Sequence, residues 1–229
     1  MRMQSSVTPA WNQVRLVVFD LDGTLVDSKQ DLALSVNAMR QDLGLSLLPL
    51  ELIASYVGHG VTVLVRRALG EFATAENMEK GLAFFLNYYR EHMLDHTAPY
   101  PGVVEALDKL RTQKLAVLSN KPVSFSREML TRLGLAPYFT FVYGGDSFLR
   151  QKPDPMGVYR MMEDLEVSAV QALMVGDSDT DVLTGRNAGV WTCGVTYGFG
   201  AHTLLETPPD LIIDDLRELP PLLNNQRKE

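Results

Sequence analysis

Two aspartates stand two positions apart in the run Asp20-Leu21-Asp22-Gly23-Thr24, directly after the apolar, β-branched stretch Val14-Arg15-Leu16-Val17-Val18-Phe19. Three other places offer groups of complementary chemistry. Ser119-Asn120-Lys121 follows the apolar run Leu115 to Leu118, and Gly176-Asp177-Ser178-Asp179-Thr180-Asp181 follows Ala172 to Val175. Lys152 lies in Gln151-Lys152-Pro153-Asp154-Pro155, ahead of a helical pattern. Alternate residues of an extended segment point the same way, so Asp20 and Asp22 are expected to converge. With Asp177 beside them, the carboxylates repel unless a cation intervenes. A hard divalent ion with oxygen ligands meets that need. Magnesium fits, because it takes one or two carboxylates together with phosphate oxygens and water. Such an ion screens Asp20 for attack on a phosphate dianion. Gly23 lets the backbone pass close to the phosphate, and Lys152 supplies positive charge to carboxylates and phosphoryl oxygens alike. Ser119 offers a short hydroxyl donor, and Asn120 is placed beside it on the phosphate. Each feature alone is ordinary: an acidic turn, a helix cap, a surface lysine. Their order and spacing in one βα pattern are what is specific.

The elements that must position these groups follow from hydropathy. The run ending at Phe19 is almost continuously apolar, as in a strand buried on both faces of a parallel sheet. Leu115–Leu118, Phe139–Tyr143 and Ala172–Val175 repeat it, and Gly194–Thr196 and Leu211–Ile213 are weaker versions. Helix-period segments separate them at Val103–Arg111, Ser124–Leu133, Met156–Leu165 and Asp179–Ala188. Strands alternating with helices of this size predict a doubly wound, Rossmann-like α/β sheet. Ligands then bind outside the carboxyl ends of the strands, where the chemical groups above are found. From about Asp27 to Ala98 no strand is expected, only amphipathic helical periods such as Leu32-Val36-Met39-Leu43, Val61-Leu64-Val65-Ala68-Leu69 and Leu82-Phe85-Leu86-Tyr89. A loop of roughly 70 residues is implausible inside a compact domain. The reading is therefore a core of residues 1–27 plus 99–229 with a helical domain of residues 28–98 inserted, its aromatic and Met side chains forming its own core. The tail from Asn224 is expected to fray.

Composition narrows the function classes. Of 229 residues, 46% are hydrophobic and 21% charged, as in globular proteins, and the net charge of −7 argues against a nucleic-acid partner. No apolar stretch approaches the ~18 residues that span a bilayer, and the polar start lacks a signal-peptide run, so a cytoplasmic protein without membrane partner is expected. The single cysteine, Cys193, excludes an internal disulfide and reads as a small core side chain. His92, His96 and His202 show no zinc-ligand spacing.

Together these residues resemble the haloacid-dehalogenase-like phosphohydrolase superfamily over nearly the whole chain. Asp20-Leu21-Asp22-Gly23-Thr24 is similar to its first motif, Ser119 to its second, Lys152 to its third and Gly176 to Asp181 to its fourth; the insert stands where that family carries its cap. The resemblance implies that Asp20 is the nucleophile forming an aspartyl-phosphate and that Asp22 is general acid, then general base. It also implies that Ser119, Asn120 and Lys152 hold the phosphoryl group, with Mg2+ on the Asp20 carboxylate, the Asp22 backbone carbonyl and Asp177. Asp181 is a further ligand or an outer-shell group. The family's dehalogenases lack the second acid, so Asp22 points to phosphate chemistry. Within the superfamily, Val26-Asp27-Ser28, Val57-Gly58-His59-Gly60 and Ser119-Asn120-Lys121-Pro122 are most similar to phosphoglycolate phosphatases. The expectation is a phosphoric monoester hydrolase acting on a small phosphorylated metabolite, as monomer or dimer, with a cap that opens for substrate and closes against water. His59 either faces the site or is a solvated loop residue. Arg66 or Arg67 could meet a substrate carboxylate, or both line a solvated helix face. The alternatives are a phosphosugar mutase of the same superfamily, which would need a bisphosphate activator, and a catalytically silent metabolite-binding module, which would release no phosphate.

Overall fold

The computed structural model describes residues 10–224. In chain order, β1 (Leu16–Phe19) and β2 (Val26–Asp27) precede four helices, α1 (Lys29–Asp42), α2 (Leu50–Ala54), α3 (Val61–Leu69) and α4 (Ala75–His92). Next come β3 (Ala98–Pro99), α5 (Val103–Lys109), β4 (Lys114–Leu118), α6 (Val123–Arg132), β5 (Phe141–Tyr143) and α7 (Met156–Asp164). The chain ends with β6 (Ala172–Gly176), α8 (Asp179–Ala188), β7 (Trp191–Val195), β8 (Leu211–Ile213) and α9 (Leu219–Leu223). Six strands form one parallel sheet in the order β5-β4-β1-β6-β7-β8.

The alternation of side chains along β1 explains the layers. Val17 and Phe19 face one side, in a buried cluster with Val103 and Leu107 of α5, Phe125 and Met129 of α6, and Leu219 of α9. Leu16 and Val18 face the other side, with Val158 and Met161 of α7 and Ala188 of α8. Both faces of the central strands are thus covered, which is why they read as continuous apolar runs. The chain steps outward from β1 to β4 and β5, then returns to β6 on the opposite side of β1. That reversal opens a crevice at the carboxyl ends of β1, β4 and β6.

The insert is helical as its periodicity predicts, but its apolar side chains do not form a separate core. Leu32, Val36, Met39, Ile53, Leu64, Phe85 and Tyr89 belong to the same buried cluster as Val17 and Phe19. Tyr89 of α4 meets Phe125 of α6 edge-on, with centroids 5.6 Å apart. An apolar helix face above an open crevice buries more surface against the sheet's own helices than by closing on itself. Two short strands escaped the sequence reading because two residues carry no periodicity. β2 and β3 pair antiparallel, Val26 with Pro99 and Asp27 with Ala98, so the chain leaves and re-enters the sheet layer at one place. Asn224 is anchored rather than frayed, its amide donating to the Lys109 carbonyl, and residues 225–229 lie outside the described residues. Among the described residues no helix is long and apolar enough to cross a membrane.

Beside that crossing lies Asp31, fully buried at the start of α1. Its carboxylate accepts hydrogen bonds from the backbone N–H groups of His96 and Thr97, from Thr97 Oγ1 at 2.7 Å, and pairs with His96 Nδ1 at 2.8 Å. Burial opposes ionisation, but these donors outweigh it and hold the carboxyl below its ordinary range. Asp31→Asn should therefore cost about 1–3 kcal/mol at neutral pH in urea unfolding, since it leaves buried donors poorly matched. A depressed carboxylate contributes stability that is lost as pH falls, so the difference between the two proteins should shrink under acid conditions. Equal stability at pH 7 would remove Asp31 from this role.

Candidate active site

The crevice is built from four chain segments that the parallel sheet brings to one end. Asp20 follows β1, and its N–H donates to the Val175 carbonyl at 2.9 Å, which pins it beside the end of β6. Asp177 follows β6, and Asp181 stands in the first turn of α8. Lys152 arrives from the segment before α7 and is buried, its Nζ 2.9 Å from Asp20 Oδ1 and 2.6 Å from Asp181 Oδ1. Asp20, Asp177 and Asp181 each bring an oxygen within 4.8 Å of the others.

One ammonium among three buried carboxylates leaves an excess of negative charge, and the acid strengths register it. Burial pushes Asp20 up to about 6, against the opposing pull of Lys152. Asp177 is pushed up to about 8 by burial and by the charges of Asp181 and Asp20, which the Gly200 N–H only partly offsets. The oxygens are not equally free. Asp181 Oδ1 is held by Lys152, and Oδ2 accepts from the Ser178 hydroxyl at 2.7 Å and the Ser178 N–H at 3.1 Å. That capping box turns Asp181 into a support for Lys152 and α8. Asp20 and Asp177 both line the crevice, and Asp177 Oδ1 has only a long contact, 3.4 Å, from the Thr24 hydroxyl. Asp177 is constrained by Gly200 N–H at 2.8 Å and by Gly23, where φ is +85° and a Cβ would sit 2.4 Å from Asp177 Oδ2. An all-oxygen, carboxylate-rich donor set whose carboxyl groups hold their protons more tightly than usual fits a hard divalent cation.

Asp22 lines the same crevice as Asp20 but stands outside this carboxylate cluster. β1 ends at Phe19, so neither aspartate lies within the strand and its two-residue period does not govern them. The Asp22 carboxylate is instead 2.8 and 3.0 Å from Lys121 Nζ and accepts from Ser28 Oγ at 2.5 Å. Lys121 also donates to the Tyr89 hydroxyl at 2.8 Å. Burial works against its charge, but Asp22 prevails and keeps the ammonium protonated. Lys121 and Ser28 were legible only as parts of short motifs. The signal for Lys121 was its place two residues beyond Ser119 at a strand end, where both side chains can face one cleft.

Ser119 is buried at the end of β4, its Oγ accepting from the Lys121 N–H at 3.3 Å, so its own hydrogen remains free. Asn120 departs from expectation. Its Nδ2 donates to the Gly58 carbonyl at 2.8 Å and the Lys152 carbonyl at 3.1 Å, which leaves no side-chain N–H for a phosphoryl oxygen. With Gln151 Nε2 on the His59 carbonyl at 2.9 Å, it instead clamps the glycine loop of the insert over the site. His59 lines the crevice near Asp177 and Asp179, whereas Arg66 and Arg67 are exposed on α3 away from it. His92 pairs with Asp95 and His96 with Asp31, while His202 stands at the crevice mouth. Cys193 is buried in β7, and burial raises its thiol far above the reactive range.

Known proteins are similar to this chain in sequence and in fold. Residues 17–195 match the family model of haloacid dehalogenase-like hydrolases. The chain is 40% identical over 230 residues to a phosphoglycolate phosphatase of Neisseria meningitidis, covering 96% of this chain and 98% of that one. It is 39% identical to a phosphoglycolate phosphatase of Vibrio parahaemolyticus, covering 90% and 94%. A crystal structure of a predicted phosphoglycolate phosphatase from Haemophilus somnus superimposes with a TM-score of 0.86 at 33% identity, covering 90% of this chain and 96% of that one. On the sheet order, the four segments that meet at its carboxyl edge and this match over most of its length, the chain belongs to the haloacid dehalogenase-like hydrolase family.

Proposed function

We propose that the protein is a magnesium-dependent phosphatase that hydrolyses 2-phosphoglycolate through an aspartyl-phosphate on Asp20. The observation that carries the reading is the division of two near-adjacent carboxylates between two environments. Asp20 sits with Asp177 against Lys152, while Asp22 is held apart by Lys121 and Ser28. One carboxylate is placed to attack, the other to move protons. The relatives' names support the substrate.

Asp20, Asp177 and the Asp22 backbone carbonyl would hold Mg2+, which when bound neutralises the carboxylates and the phosphoryl oxygens. A carboxylate oxygen of Asp20 bonds to phosphorus as the bond to the ester oxygen breaks. Asp22 enters the cycle protonated and gives that proton to the departing alkoxide. Now a carboxylate, it takes a proton from water, whose oxygen displaces Asp20 from phosphorus, releasing phosphate and restoring the Asp20 carboxylate and the Asp22 acid. Lys152 neutralises charge on Asp20 and the phosphoryl oxygens, and the Ser119 hydroxyl donates to one of those oxygens. Residues 28–98 act as a cap on a core of residues 1–27 and 99–229, with β2 and β3 at the crossing between them. The Asn120 and Gln151 clamp holds the glycine loop closed and water out. The lone buried thiol suits the reducing cytoplasm.

The direct test is phosphate release from 2-phosphoglycolate, glucose phosphates, nucleotides and pyrophosphate, with and without Mg2+. A clear preference for 2-phosphoglycolate, lost with EDTA, is expected; release from none of them would sink the reading. Asp20→Asn should abolish turnover while leaving the circular dichroism unchanged. Asp22→Ala should slow it at least about 100-fold, the usual scale of positioned proton transfer. Near-normal rates in either variant would remove that residue from its role.

A second prediction concerns stability. The folded pKa values of Asp20 and Asp177, about 6 and about 8, lie above the carboxylate reference of 3.8. Between about pH 4 and pH 8 the metal-free fold therefore binds more protons than the unfolded chain and is destabilised as pH rises. Bound Mg2+ relieves that cost, so its Tm increment should be larger at pH 8 than at pH 5. An increment that is absent, or equal at both pH values, would count against cation binding at this cluster.

A further inference from the structure

Beyond Asp22 the crevice opens into a chamber of about 50 Å3 beneath the insert, walled by Leu32, Phe85, Tyr89 and Phe125. That is room for a few waters, on the scale of a small leaving group. Asp20 and Asp22 stand at one side of it, so an ester whose phosphorus faces Asp20 extends its alcohol into this space. Among the described residues lining the chamber, Lys121 is the one basic side chain. Lys152 serves Asp20 and Asp181 and does not line it.

The ammonium of Lys121 is placed to serve two anions. Its contacts at 2.8 and 3.0 Å both go to the single carboxylate of Asp22, and the third goes to the Tyr89 hydroxyl. A second carboxylate can take one ammonium hydrogen while Asp22 keeps another, and the Tyr89 hydroxyl can turn its own hydrogen to the same anion. A neutral alkyl group needs no such partner in an apolar chamber, whereas a carboxylate there is prohibitively costly without one.

We propose that Lys121 reads the charge of the leaving group and is the residue that selects phosphoesters whose alcohol carries a carboxylate. This rests on the phosphatase reading above and deepens it. The test compares kcat/KM for 2-phosphoglycolate and for ethyl phosphate, which differ in that carboxylate, in the wild type, Lys121→Met and Lys121→Arg. The preference for 2-phosphoglycolate should fall about 30-fold or more in Lys121→Met, the scale for a buried charge left unpaired, and return in large part in Lys121→Arg. Equal losses on both esters, with the preference unmoved, would confine Lys121 to holding Asp22 and overturn the proposal. If Lys121→Met does not fold, inhibition of the wild-type enzyme decides: phosphonoacetate should bind at least about tenfold tighter than ethylphosphonate, and equal binding overturns the proposal. A wild-type protein that hydrolyses neither ester would remove the phosphatase reading and this inference with it. Hydrolysis of both with an unmoved preference removes this inference alone.

Discussion

Three carboxylates buried around one ammonium set the terms for the rest of the molecule. Parallel pairing of β1 with β6, Phe19 beside Val175, brings the ends of both strands to the same edge, and with them Asp20 and Asp177. Asp181 follows within one helical turn of Asp177. Such charges in a low-dielectric place are tolerated only with partners. Lys152 reaches two of them, Ser178 ties down the free oxygen of Asp181, and the loop after β7 contributes the Gly200 N–H to Asp177. What remains uncompensated is a negative field of the kind a divalent cation neutralises.

Asp22, two residues from Asp20, lives under the opposite condition. Its single charge is matched by a single buried ammonium, and a hydroxyl at 2.5 Å fixes its orientation. Both aspartates follow the end of β1, and their carboxylates take different partners, Lys152 for Asp20 and Lys121 for Asp22. In the proposed reaction this separates a nucleophile that must stay ionised from an acid–base group that must change state. Because Lys121 also holds Tyr89, the same ammonium ties α4 of the insert to Asp22.

The insert is bound to the sheet layer by features of different kinds. β2 with β3 and the Asp31 network gather the crossing, and the apolar cluster runs from Phe85 and Tyr89 into Phe125 and Phe19 without a break. At the far side, Asn120 and Gln151 hold successive carbonyls of Gly58 and His59. Gly60 passes so close that a Cβ would lie 2.8 Å from Gln151 Oε1. Asn120 links that loop to the backbone of Lys152 as well, so loop position and the placement of the ammonium on Asp20 share one side chain.

Much of this was legible in the residues alone. The apolar runs at Val14–Phe19, Leu115–Leu118 and Ala172–Val175 mark central strands, because a strand covered on both faces has no polar alternation. The groups at their carboxyl ends, Asp20, Ser119 and Asp177, follow from chain direction in a parallel sheet, and the long helical interval after β1 marks an insert. Side-chain orientation was not legible, since it depends on partners far away in the chain. Asp22 turns to Lys121, 99 residues on. Asn120 spends its donors on carbonyls of residues 58 and 152, and Asp181 is taken up by Lys152. Local periodicity decides which elements form and which end carries the chemistry. Only the packed tertiary structure decides how a few buried charges divide their partners, because each pairing depends on what every other group leaves unsatisfied.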